Sequence, residues 1–137
     1  MKPILLDTNA YSAFKRGEPE ILQIIQHAAE IHLSVVVLAE LIAGFVAGAK
    51  EKANRAELSG FLASKRVAVL AVDEATAEQY AQIKLQLKRA GKPIPTNDIW
   101  IAASALQHGL CLITADSHFG YVAGLLTAAT LVELNAL

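Results

Sequence analysis

The chain opens with a short, unbroken apolar run, Ile4-Leu5-Leu6, that stops at Asp7-Thr8-Asn9. A run of this kind, without polar alternation, is the pattern of a strand buried on both faces, as in a parallel sheet. Beyond it the period changes to that of helices. Pro19 suits the first turn of a helix, and Ile21, Ile24, Ile25 and Ala28 recur behind it at helical spacing. Ile31 to Leu33 predicts a second short strand. Ser34 is an N-cap for the apolar helix that follows, which should end near Gly48. A more polar helix from about Lys50 to Ser64 comes next, and these two helices should form a hairpin.

Val67 to Val72 reads as another strand, after which Asp73 caps a helix with Tyr80, Ile83, Leu87 and Ala90 on one face. Gly91 and Pro93 stop it. Thr96 or Asn97 then begins a helix through Trp100, Ile101, Ala102, Ala103 and Leu106, ended by Gly109. That helix is apolar nearly all round and should be central. Leu110 to Thr114 forms the next strand, and Thr130-Leu131-Val132 predicts a fifth. Strands alternating with helices imply an α/β fold with a mostly parallel sheet covered on both faces. No internal repeat or linker interrupts residues 1–137, so a single domain is expected.

Composition narrows the class. With 54% apolar and 18% charged residues, the chain is far from the signature of disorder. Twelve basic against thirteen acidic side chains give a net charge of −1, so no global positive field draws in nucleic acid and any phosphate binding must be local. Cys111 is the lone cysteine and cannot form an internal disulfide; inside Leu110-Cys111-Leu112-Ile113 it reads as a buried strand thiol, which suits a reducing cytoplasm. The apolar stretch before Asp7 is too short for a signal peptide. Val35 to Ala49 is shorter than the ~20 residues of a membrane span and carries Glu40, so it reads as a core helix.

Four carboxylates interrupt these apolar segments: Asp7 after the first strand, Glu40 within Val37-Leu38-Ala39-Glu40-Leu41-Ile42, Asp98 before Ile99-Trp100-Ile101, and Asp116 after Leu112-Ile113-Thr114-Ala115. An isolated buried carboxylate is costly, whereas a group of them around a divalent cation is stabilised by the ion's own charge. Asp7 and Asp116 fall at the carboxyl ends of strands, where open α/β sheets bind ligands. Taken singly, Asp7 has an alternative role as a helix cap, Asp98 as a first-turn acid and Asp116 as a turn residue, while Glu40 in mid-helix has only surface exposure or an ion pair. Oxygen-only ligands favour Mg²⁺, or Mn²⁺, over zinc, and His27, His32, His108 and His118 are scattered.

These stretches resemble the PIN domains, and among them the VapC-type toxins. The resemblance rests on Leu5-Leu6-Asp7-Thr8-Asn9, on Ser34-Val35-Val36-Val37-Leu38-Ala39-Glu40-Leu41, on Pro95-Thr96-Asn97-Asp98-Ile99-Trp100-Ile101-Ala102-Ala103 and on Leu112-Ile113-Thr114-Ala115-Asp116-Ser117-His118-Phe119. It implies a three-layer α/β/α PIN fold and Mg²⁺-dependent endoribonuclease activity that leaves 5′-phosphate and 3′-hydroxyl ends. It also implies a cytoplasmic location, a homodimer, and neutralisation by a small VapB-type antitoxin whose tail enters the active-site groove. By it Asp7, Glu40, Asp98 and Asp116 match the acidic metal-binding positions. Thr8, Asn9 and Thr114 match polar positions that orient the acids or the bound water. His118 inherits no role and reads as structural or as part of the rim. The hairpin from Ser34 to Ser64 is either part of the antitoxin surface or ordinary packing.

Lys84, Lys88, Arg89 and Lys92 form a basic cluster with no acid between Tyr80 and Asn97. They are candidates for RNA phosphate contacts, although cations in the last turn of a helix also complement its dipole. Two rival functions differ in kind. A haloacid-dehalogenase-like phosphatase would use Asp7 but needs a second aspartate two residues on, where this chain has Asn9, an amide that cannot act as the acid. A non-catalytic module would hold a structural ion and act through contacts alone.

Overall fold

Five strands form one sheet in the order β3-β2-β1-β4-β5, and every neighbouring pair is parallel. They are β1 (Ile4–Leu6), β2 (Ile31–Ser34), β3 (Val67–Leu70), β4 (Cys111–Ile113) and β5 (Thr127–Ala128) in a computed structural model that describes residues 2–137. β1 and β4 lie side by side, with Ile4 opposite Cys111, Leu5 opposite Leu112 and Leu6 opposite Ile113. All six side chains are buried, which is why these two segments show no polar alternation. Cys111 is among them, and burial pushes its thiol up to about 11.

The helices are α1 (Thr8–Lys15), α2 (Pro19–His27), α3 (Val35–Ala47), α4 (Glu51–Leu62), α5 (Glu74–Ala90), α6 (Thr96–His108) and α7 (Leu131–Asn135), with a short 3₁₀ segment at Ser117–Tyr121. From β1 the chain steps outward to β2 and β3, then returns past β1 to β4 and β5. Because parallel crossovers are right-handed, the outward and returning connections place their helices on opposite faces. α3 packs on α4 as a hairpin, α5 packs on α6, and α2 meets α7. α6 is the most buried helix, enclosing Ile99, Ile101, Ala102, Ala103, Ser104 and Ala105. Its exposed side is shielded by Tyr80 of α5, stacked on Trp100 with ring centroids 4.1 Å apart. Ala90, grouped with Tyr80 by periodicity, is exposed.

Local signals account for the ends of these elements. Asp7, Ser34, Asp73 and Thr130 each accept a backbone N–H bond at a helix start. Asp73 and Thr76 form a reciprocal capping box to which Gln107 adds a further bond. Gly91 and Gly109 end α5 and α6 in the left-handed conformation, with φ of 66° and 64°.

The fifth strand differs from expectation. Thr130-Leu131-Val132 is not a strand: Thr130 accepts from the Glu133 amide at 3.2 Å, and the Glu133 carboxylate accepts from the Ala129 amide at 2.8 Å. These two bonds close a cap that starts α7, so Leu131 and Val132 belong to a helix. The strand lies just upstream, where Thr127 and Ala128 pair with Leu112 and Ile113. β3 is also shorter than the apolar run that predicts it and ends at Leu70.

Candidate active site

The order of the strands places the reversal of chain direction between β1 and β4, and beyond the carboxyl ends of adjacent strands at such a point an open sheet leaves a crevice. Asp7 follows β1 directly and is only 4% exposed. Its carboxylate accepts from the Ala10 amide at 2.7 Å, and the Thr114 hydroxyl bonds it from the end of β4. Asp7 is therefore a helix cap as well as a crevice acid, and the two roles coexist.

The other acids arrive from separate elements. Asp116 follows β4 and caps the 3₁₀ segment by accepting from the His118 amide at 3.1 Å; its own amide donates to Thr114 Oγ1 at 3.0 Å. Asp98 stands in the first turn of α6, where the helix dipole favours negative charge. Glu40 reaches in from α3, which packs against α6, and accepts from the Thr8 hydroxyl at 3.0 Å.

All four carboxylates line one cleft of about 350 Å³, together with Thr8, Asn9, Pro95, Asn97, Ile101, His118 and Phe119. Thr114 lies beneath, buried against Asp7, and Asn9 stands exposed at the rim. His118 occupies a position that spacing alone does not disclose: Nε2 is 2.6 Å from Asp98 Oδ2 and Nδ1 is 2.9 Å from Asp116 Oδ1. The sequence signal for it is only the neighbourhood of Asp116. Lys84, Lys88, Arg89 and Lys92 do not line the cleft. They lie along the second half of α5 and in the turn after it, with Lys84 over the Tyr80 ring and Lys92 over the Tyr121 ring.

The electrostatics are those of a site short of positive charge. Burial raises the Asp7 carboxyl above the ordinary aspartate range, and the charges of Asp98 and Asp116 push it further the same way. The bonds from Thr114 and Ala10 offset part of this. A carboxylate-rich cleft whose only cationic candidate among the described residues is one histidine suits a hard divalent cation, and the oxygen donors of Asp7, Glu40, Asp98 and Asp116 fit such an ion.

A model of the PIN domain family matches residues 4–125. The chain belongs to the PIN-domain family. It falls in the VapC branch by its relatives: it is 32% identical to the tRNA(fMet)-specific endonuclease VapC of Shigella flexneri over 93% of this chain and 97% of that protein. It is 30% identical to ribonuclease VapC5 of Mycobacterium tuberculosis over 88% of this chain and 87% of that one. In three dimensions this PIN domain resembles a chain of the DNA-bound VapBC complex of Salmonella typhimurium, with a TM-score of 0.83, 28% identity, and coverage of 93% and 98% of the two chains. The helices flanking this PIN domain's parallel sheet are those the resemblance implies. No helix among the described residues is long and apolar enough to cross a membrane.

Proposed function

We propose that this PIN domain is a divalent-metal-dependent endoribonuclease and the toxin of a type II toxin–antitoxin pair, acting in the cytoplasm. The observation that carries the reading is the convergence of Asp7, Glu40, Asp98 and Asp116 on one cleft at the reversal point of the sheet. The names of the relatives, ribonuclease and tRNA-specific endonuclease, support RNA as the substrate class.

In this reading Asp7, Asp98 and Asp116 hold Mg²⁺, or Mn²⁺, and Glu40 binds the ion or orients the attacking water. When bound, the cation supplies Lewis acidity that lowers the pKa of water and offsets charge on the scissile phosphate. The protein's own contribution is position. Thr114 ties Asp7 to the loop carrying Asp116, Thr8 fixes Glu40, and Asn9 at the rim orients the acids or the bound water. Lys84, Lys88, Arg89 and Lys92 bind RNA phosphates beyond the cleft.

The partner is a small VapB-type antitoxin, as in the VapBC complexes this fold resembles. It packs against the hairpin of α3 and α4, beside a groove of about 210 Å³ formed by Tyr11, Ser12, Leu41, Phe45 and Asn54. The toxin itself pairs as a homodimer.

The deciding experiment uses antitoxin-free protein. Asp7→Asn should abolish Mg²⁺-dependent RNA cleavage while circular dichroism shows the fold unchanged. A folded variant with full activity removes Asp7 from the site. Cation binding without RNA cleavage at any Mg²⁺ or Mn²⁺ concentration would favour the non-catalytic module.

A further inference from the structure

We propose that His118 is a nitrogen ligand to the divalent cation and biases the site toward Mn²⁺ over Mg²⁺, an inference that rests on the metal-dependent reading above. Asp98, Asp116 and His118 each present one ligand atom, and these atoms all lie within 4.8 Å of one another. Ligands about 2.1 Å from one octahedral ion lie ~3 Å apart when adjacent and ~4.2 Å apart when opposite. The imidazole makes polar contacts with both carboxylates, Nε2 with Asp98 at 2.6 Å and Nδ1 with Asp116 at 2.9 Å, so whichever nitrogen coordinates already stands near the adjacent spacing from one of them.

The ring is held where it can serve. His118 lies in the 3₁₀ segment, and the next residue, Phe119, is 1% exposed, which anchors the backbone in the core. The Phe119 ring lies 5.1 Å from the imidazole. Beyond it, the Gln86 amide donates to the Tyr121 carbonyl at 3.0 Å and accepts from the Ala123 amide at 3.1 Å. Because each ring nitrogen faces a different carboxylate, one can coordinate while the other keeps its carboxylate as the partner that sets ring orientation. Mg²⁺ prefers oxygen donors and water, whereas Mn²⁺ lies toward the nitrogen-accepting transition metals, so an imidazole in the set raises Mn²⁺ affinity more than Mg²⁺ affinity.

The test compares wild type, His118→Ala and His118→Gln, all full length and metal-free. Each is titrated calorimetrically with MnCl₂ and with MgCl₂ at one fixed pH, and the Mn²⁺ form is examined by electron spin echo spectroscopy for ¹⁴N coupling. Wild type should show a ¹⁴N coupling that both variants lack, and both should lose ~10-fold or more in Mn²⁺ affinity while Mg²⁺ affinity changes far less. The glutamine variant retains an amide donor and guards against failure of the alanine variant to fold. Absence of ¹⁴N coupling in wild type, or an equal loss of both cations, overturns the assignment. If wild type binds neither cation, the metal-dependent reading fails with it; if it binds both and the variants leave their ratio unchanged, only the role of His118 fails.

Discussion

The Thr8 hydroxyl donates to Glu40 Oε1 at 3.0 Å, joining the first residue of α1 to the middle of α3. A glutamate on a half-exposed helix face otherwise samples several rotamers, and the bond selects the one that faces the cleft. Thr8→Val keeps the shape of the side chain and removes the donor. RNA cleavage should fall ~10–100-fold, the range for loss of a group that orients a site ligand, with little change in melting temperature. Thr8→Ser should restore most of the rate. Full activity in Thr8→Val would show that Glu40 holds its place without the hydroxyl.

The same cleft predicts a cost in stability. A carboxyl whose folded pKa is raised binds its proton more tightly in the fold, so its contribution to stability declines as pH rises from its unfolded pKa through its folded pKa. For Asp7 the raised value comes first from burial, and above it the folded protein carries a buried charge that the Thr114 and Ala10 bonds offset only in part. Asp7→Asn retains the acceptor for the Ala10 amide and removes that charge. In metal-free protein near pH 7 the variant should be more stable by ~0.5–2 kcal/mol, the size of a single stabilising replacement. Its advantage should disappear as pH falls below the unfolded aspartate pKa. Added divalent cation should stabilise wild type but not the variant. Denaturant melts at several pH values, with and without Mg²⁺, check each point.

Much of this was legible because it is local. Ile4-Leu5-Leu6 and the run through Ile113 are unbroken apolar stretches and became β1 and β4, adjacent strands in the interior of the sheet. Asp7 and Asp116 could be placed because a polar residue at the end of a buried strand falls on the carboxyl edge of the sheet. The misplaced fifth strand shows the limit of apolar runs: Leu131-Val132 suits either element, and the bonds of Thr130 and Glu133 decide. Glu40 stood out as an acid in an apolar helix, but its link to Thr8 spans distant sequence. His118 offered still less, since its meaning depends on Asp98 being brought beside it by α6. The basic side chains of α5 carried two readings because charge pattern gives no direction relative to the cleft.

Gln86 had no sequence signal at all, yet it clamps the segment that carries His118. Its amide bonds the Tyr121 carbonyl and the Ala123 amide, and both contacts are exposed to solvent. Gln86→Ala removes both. Each bond contributes ~1 kcal/mol, so with both lost, local opening around Ala123 should become about thirtyfold more frequent. Amide hydrogen exchange read residue by residue should show this acceleration at Ala123, with β1 and β4 unaffected. Unchanged exchange at Ala123 would mean that the packing of Phe119 and Val122 alone holds the segment.

Lys88 and Arg89 occupy the last turn of α5, and neither forms an ion pair among the described residues. Two physical roles predict opposite signatures for the double change Lys88→Ala, Arg89→Ala. If they only complement the helix dipole, stability falls by ~0.3–1 kcal/mol per cation and RNA binding keeps its salt dependence. If they contact phosphates, each removes ~0.7 from the slope of log affinity against log salt for a single strand, so the pair flattens it by ~1.4. The cluster lies outside the acid cleft, so in the second case a long RNA should be weakened more than one only a few nucleotides long. The proposed RNA contact predicts the flattened slope together with this length dependence. A reduced melting temperature with an unchanged slope leaves the dipole as the whole role of these two cations.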